Sequence, residues 1–232
     1  MIAVLAALLL SALVAAKARA KEAICLNNLN QLTLAAQIYA ADNDGKLAEN
    51  HSLSNSRATN SWVLGNMQNS HDATNVTLLR QSKLFPYAHN EGLFHCPADD
   101  SQSGGVPRVR SYSMNSWMGS RDMETAPYSP TGYRTFVKDS ELARAGAGTL
   151  WYIADEDVTT IDDGWFLVTM DDSQPFASFP ATRHFRGYGL NFVDGHTEIY
   201  RLRDPNSRAN MSAATVKNNT DWVELKQVTT FK

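Results

Sequence analysis

Ile2-Ala3-Val4-Leu5-Ala6-Ala7-Leu8-Leu9-Leu10-Ser11-Ala12-Leu13-Val14-Ala15-Ala16 runs without a glycine or proline into Lys17-Ala18-Arg19-Ala20-Lys21-Glu22-Ala23-Ile24-Cys25-Leu26-Asn27-Asn28-Leu29-Asn30-Gln31-Leu32 and on to Ala41. The first part is apolar apart from Ser11. The second has a face, because Cys25, Leu29, Leu32, Ala36 and Tyr39 recur at steps of three or four, the spacing of one side of an α-helix. Asn27, Asn28, Asn30, Gln31 and Gln37 crowd the other side. Asp42-Asn43-Asp44-Gly45 should end the helix, since short polar side chains favour a turn and glycine accepts the left-handed cap. One helix from Ile2 to Ala41 would be about 60 Å long at about 1.5 Å per residue. That exceeds the width of a small domain, so a core helix buried along its whole length is a poor reading.

Two other readings of the start remain. The stretch Met1 to Ala16 falls short of the roughly 20 residues that cross a bilayer, and no Lys or Arg precedes it. Ala18-Arg19-Ala20 has the small-x-small form of a signal-peptidase site, which suits a cleaved secretory signal except for the missing basic flank. The alternative is a retained anchor continuous with the amphipathic part.

Behind this helix, residues 43–232 are of single-domain size, and 43% hydrophobic residues with five Trp call for a packed core. The domain division is therefore 1–42 and 43–232. A net charge of −3 without a basic stripe excludes a nucleic-acid footprint. The two cysteines, Cys25 and Cys96, match neither zinc-motif nor Cys-x-x-Cys spacing. Outside the cytoplasm they can join as one disulfide; equally they can stand apart as small apolar side chains.

Local patterns predict an α+β fold with the long N-terminal helix packed on an antiparallel sheet. Ser61 to Met67 reads as a short strand or ordered loop, Thr74 to Phe85 as a short helix stopped by Pro86, and Gly92 to Pro97 as an extended piece. Arg108 to Met118, Thr149 to Ala154 and Gly164 to Thr169 read as strands, with a helix capped at Asp139 or Ser140 before Ala145-Gly146-Ala147-Gly148. Gly189 to Val193, Asp194-Gly195 and His196 to Leu202 read as a hairpin on a two-residue type I′ turn.

The N-terminal run resembles the first helix of bacterial type IV pilin-like proteins, including the pseudopilins of type II secretion. His184, nine residues and then Asp194-Gly195 resemble the His-x9-Asp-Gly motif of the pilin-like group common in Verrucomicrobia, Lentisphaerae and Planctomycetes. Trp62-Val63-Leu64-Gly65-Asn66-Met67, Phe94-His95-Cys96-Pro97-Ala98-Asp99 and Arg108 to Asn115 are similar to segments of the same group. The resemblance implies a non-catalytic filament subunit of prepilin origin. It would self-assemble with its own copies and other pilin-like subunits through the N-terminal helix. It would sit in the bacterial inner membrane as a single-pass protein, with the globular domain in the periplasm or on the cell surface.

The family's prepilin-peptidase site, a Gly followed by a Phe-Thr-Leu-Ile-Glu-like run, has no counterpart here, so a truncated start is expected and the peptidase would act only on a longer precursor. Lys17, Arg19 and Lys21 would by the positive-inside rule point the domain inward, opposite to the family. A membrane-anchored periplasmic module binding carbohydrate or metal is the rival reading.

No Gly-x-Ser-x-Gly elbow, His-Glu-x-x-His or phosphate-binding glycine loop occurs, so no enzyme is expected. His184, Asp194 and His196 could form a metal triad on composition, but Asp194 belongs to the turn, and His184, Asp194 and Gly195 are read as structural. Clustered carboxylates at Asp155, Asp157, Asp162 and Asp163 are calcium candidates by ligand type without a recognised loop spacing. No other cofactor is expected.

Overall fold

The computed structural model describes residues 2–52, 58–126, 129–174, 177–207 and 218–232, with the backbone alone for 2–8, 58 and 147. Helix α1 spans Ile2–Asp42 without a break. It stops where the sequence predicts: the Gly45 amide donates to Ala40 O at 2.8 Å, and Asp44 and Gly45 both take positive φ. The positive φ favours glycine at position 45, and a Cβ there would also displace the Asp139 carboxylate, 2.6 Å away.

The fold is α+β. Strands β1 (Gln102–Ser103) and β2 (Val106–Pro107) make a small hairpin. The main sheet contains β3 (Tyr112–Asn115), β4 (Trp151–Asp155), β5 (Trp165–Phe166), β6 (Gly187–Phe192) and β7 (Thr197–Arg201) in the order β5-β3-β4-β6-β7. It is mixed rather than wholly antiparallel, because β5 lies parallel to β3. Short helices α2 (Val76–Arg80), α3 (Phe85–Ala88), α4 (Asp122–Thr125) and α5 (Asp139–Ala145) sit in the connections, and α6 (Thr220–Gln227) precedes the C-terminus.

The alternation along β6 explains how α1 is seated. Tyr188, Leu190 and Phe192 point to the face covered by α6, where they pack with Trp151, Phe166, Trp222 and Leu225. Gly189 and Asn191 point to α1. The helix can approach closely because the strand offers it no bulk, and Cys25, Leu29, Leu32 and Ala36 bury there with Tyr112, Met114, Tyr152 and Ile153. The polar residues of α1 are not simply a solvent face. Asn28 is buried and donates to Gly92 O and His95 O, Asn30 donates to Gly195 O at 2.7 Å, and Gln37 to Val193 O at 3.0 Å. Thr33 donates to Asn191 Oδ1. The amides of Asn28, Asn30 and Gln37 thus supply donors to loop carbonyls outside the sheet's own ladder.

Several local expectations are corrected. Pro86 lies in the first turn of α3, where its missing N–H costs no helical bond, so it opens that helix instead of ending one. The segment 91–94 is a 3₁₀ turn capped by Asn90 and not an extended piece, whereas 61–67, read as a strand or an ordered loop, is the ordered loop. The β6–β7 hairpin exists, but Phe192 N donates to His196 O around a three-residue loop, and of Val193, Asp194 and Gly195 only Gly195 has positive φ. That is the longer hairpin connection with a left-handed glycine, not a type I′ turn.

Candidate functional site

Four side chains from four parts of the chain meet beneath α1. Cys25 is on the buried face of the helix. Cys96 follows the 3₁₀ turn that Asn28 holds against α1, Asp155 ends β4, and His184 stands three residues before β6. All four are buried, and one ligand-type atom of each lies within 4.8 Å of the others. Among the described residues this is the one such grouping of three or more His, Cys, Asp and Glu. Cys96 Sγ is 3.3 Å from His184 Nε2, which is 3.9 Å from Asp155 Oδ2.

Each member is positioned by neighbours. Tyr112 donates to Cys25 Sγ at 3.3 Å, and the Cys96 amide donates to Ser111 Oγ at 3.1 Å. Ser111 donates to Asp99 Oδ2 at 2.6 Å. Arg183 bridges Asp99, at 3.1 Å, and Asp155 Oδ1. His184 exchanges backbone hydrogen bonds with Gly187 across Phe185 and Arg186, both at positive φ (52° and 61°). Bulky residues adopt that region at a cost of about 1–2 kcal/mol each. The turn is held by Arg201, which donates to His184 O at 2.6 Å, and by the Leu202 amide, which donates to Arg186 O at 2.9 Å.

The electrostatics are those of a buried, anion-rich pocket. Donating to Cys96 drives the Cys25 thiol up, with burial adding to it. Accepting that bond holds Cys96 down against its own burial, and His184 adds to the lowering. Burial pushes the Asp155 carboxyl well up against the pull of Arg183. Burial also pushes Asp99 up, but Arg183 and the Ser111 hydroxyl outweigh it and the net shift is down. Such a set can ligate a cation, exchange protons within a closed network or join its two thiols.

The His-Asp-His trio that composition allows and the turn argues against does not form, because His184 does not join Asp194 and His196. His196 stacks on Phe192 at 4.1 Å between centroids and pairs with Asp194 at 2.6 Å, at the far end of β6 from His184. Asp194 and Gly195 serve the hairpin, whereas His184 belongs to the buried cluster. The calcium candidates disperse as well. Asp157 accepts from Thr159 N, Asp162 from Asp163 N at 2.7 Å and Asp163 from Trp165 N at 2.7 Å, while Asp155 turns inward to the cysteines. The two cysteines, foreseen as disulfide partners or separate side chains, are adjacent thiols here. Arg183, which ties the two acids, was not foreseen; its neighbourhood to His184 in sequence was the available signal.

A second feature lies outside the domain. Glu22 pairs with Arg201 at 3.1 Å, and N-terminal to that point the helix projects. Leu9, Leu10, Leu13 and Val14 are 64–71% exposed, on one side of the projection; Ser11, Ala12, Ala15 and Ala16 are exposed on the other. Ala3, Ala6 and Ala7, which extend the small-residue set in the sequence, lie outside the described side chains. No described helix is long and apolar enough to cross a membrane.

The fold and its two sites define an α+β domain carried on a projecting apolar helix. Compared with protein-family models, curated proteins and solved structures, the chain matches none of them.

Proposed function

We propose that this protein is a non-catalytic, pilin-like assembly subunit whose projecting helix packs against copies of itself at or within a membrane. The observation that carries this reading is the run of four large aliphatic side chains, Leu9, Leu10, Leu13 and Val14, left uncovered by the domain. Uncovered apolar surface of that extent marks an interaction site, and a helix face is satisfied most simply by another helix. The small residues opposite would let a neighbour approach closely. Ile24, Leu34 and Ile38, 44–52% exposed on the outward side of the seated half, extend apolar surface along the domain.

The rival carbohydrate module would be expected to display aromatic platforms, yet all five Trp, 62, 117, 151, 165 and 222, are buried at 6% exposure or less. A module exchanging metal cargo would want ligands open to solvent, and Cys25, Cys96, Asp155 and His184 are enclosed. Electron microscopy and cross-linking of membranes from cells making the protein test the proposal. Fibres or helix-to-helix cross-links between copies support it; a dispersed monomer in membrane preparations overturns it.

A further inference from the structure

We propose that Cys25, Cys96, Asp155 and His184 are the four ligands of a structural zinc-class divalent cation that clamps helix α1 onto the sheet. The inference goes beyond the assembly reading and does not depend on it. In a tetrahedral zinc site with bonds of about 2.0–2.3 Å, neighbouring ligand atoms are about 3.3–3.8 Å apart. The observed 3.3 Å from Cys96 Sγ to His184 Nε2 and 3.9 Å from His184 Nε2 to Asp155 Oδ2 bracket that range, and the remaining separations stay within 4.8 Å.

A separate observation points to a ligand. Asp155 is fully buried, Arg183 takes its Oδ1, and its Oδ2 makes no hydrogen bond although it faces the thiols and the imidazole. A buried carboxylate oxygen without a donor is costly, and a cation at that point removes the cost. Two thiolates and one carboxylate are largely offset by a divalent ion together with the Arg183 guanidinium, which Asp155 shares with Asp99.

Donor chemistry selects the ion. Thiolate and imidazole exclude calcium and magnesium, which take oxygen, and the mixed sulfur, nitrogen and oxygen set at tetrahedral spacing suits zinc. Four enclosed ligands leave no open position, so the role is structural. The outer contacts are those that orient metal ligands: Tyr112 on Cys25 Sγ, Arg183 on Asp155 and Ser111 on the Cys96 amide. The ion would tie α1 to β4 and to the loops carrying Cys96 and His184, at the base of the projecting helix.

The full chain, purified in detergent with its tag removed, is stripped with a chelator, resupplied with zinc and analysed for metal by mass spectrometry. One zinc per chain is expected, and cobalt in its place should give thiolate-to-cobalt charge-transfer bands with tetrahedral ligand-field absorption. Cys96→Ser and His184→Ala should each weaken zinc binding by more than about tenfold, while His196→Ala should not. Should the ligand variants fail to fold, the wild type decides, since zinc must raise the melting temperature of the stripped chain, and go on raising it with the logarithm of free zinc above the dissociation constant. No stoichiometric metal, metal retained by both ligand variants, no thermal response, or a mass lower by two hydrogens from a Cys25–Cys96 disulfide would overturn the proposal.

Discussion

Gly189 lies directly beneath Leu29: a Cβ built on the glycine would stand 2.6 Å from Leu29 Cδ1 and 3.1 Å from Cys25 Sγ. The residue is buried in mid-strand, paired with Ile199, and its φ is not in the left-handed region, so space rather than backbone freedom demands glycine. Gly189→Ala gains about 0.4–1 kcal/mol by restricting the unfolded chain and loses about 1–3 kcal/mol by overpacking. The net expectation is a destabilisation of about 1–2 kcal/mol, read as a lower urea midpoint at unchanged slope. An unmoved midpoint would show that α1 is not seated as closely as described.

The helix was legible because a 3.6-residue rhythm in Cys25, Leu29, Leu32 and Ala36 needs no knowledge of the rest of the chain. The strand containing Leu190 and Phe192 was legible too, but its faces were not. Its large residues point away from α1, and only the packed structure shows that Gly189 and Asn191 are the helix-facing side. The hairpin was placed correctly from Asp194-Gly195 and its loop was not, because the dipeptide fixes one left-handed position and the closing pair fixes the length. The cluster was the least legible. In sequence Cys25 and Cys96 read together, Asp155 with the acidic stretch and His184 with Asp194-Gly195, but the four come from separate elements, and no spacing rule joins residues that only the tertiary fold brings within 4.8 Å.

Phe185 gives a test in the opposite direction. It holds φ at 52° with its side chain 60% exposed, so little burial offsets the strain of a bulky residue in the left-handed region. Glycine there removes the strain, loses the contact with the Arg201 guanidinium at 5.8 Å and costs some unfolded-state entropy. Phe185→Gly is expected to stabilise by about 0.5–1 kcal/mol. Calorimetric melting checks it, and a lower melting temperature would mean that the ring contributes more than its exposure suggests.

Alkali should unfold the domain through its tyrosines. Burial pushes the phenols of Tyr152 and Tyr188 up, and burial with hydrogen bonds to Glu224 and Asp221 does the same to Tyr200. A phenol whose folded pKa exceeds the unfolded value of about 10 contributes stability that is complete below that pH and is lost above it. The urea midpoint should hold from about pH 8 to 9.5 and fall beyond. Phenolate absorbance should show fewer than the eight tyrosines titrating before unfolding. All eight ionising near pH 10 in folded protein would contradict the burial of Tyr152 and Tyr188 and the hydrogen bonds of Tyr200.

The projecting helix separates folding from assembly in one substitution. Leu13 is 66% exposed and N-terminal to the Glu22–Arg201 pair where α1 leaves the domain. Leu13→Asp should therefore leave the melting temperature within the range of a surface change, about 0.5 kcal/mol or less. In a packed helix bundle or in lipid the same carboxylate costs about 2.5–3.5 kcal/mol per copy, repeated in every subunit. Fibres and intersubunit cross-links should disappear while the domain's circular dichroism is retained, and Leu13→Ala should keep the assembly. Intact fibres from Leu13→Asp would remove the helix from the interface and with it the argument for a pilin-like subunit.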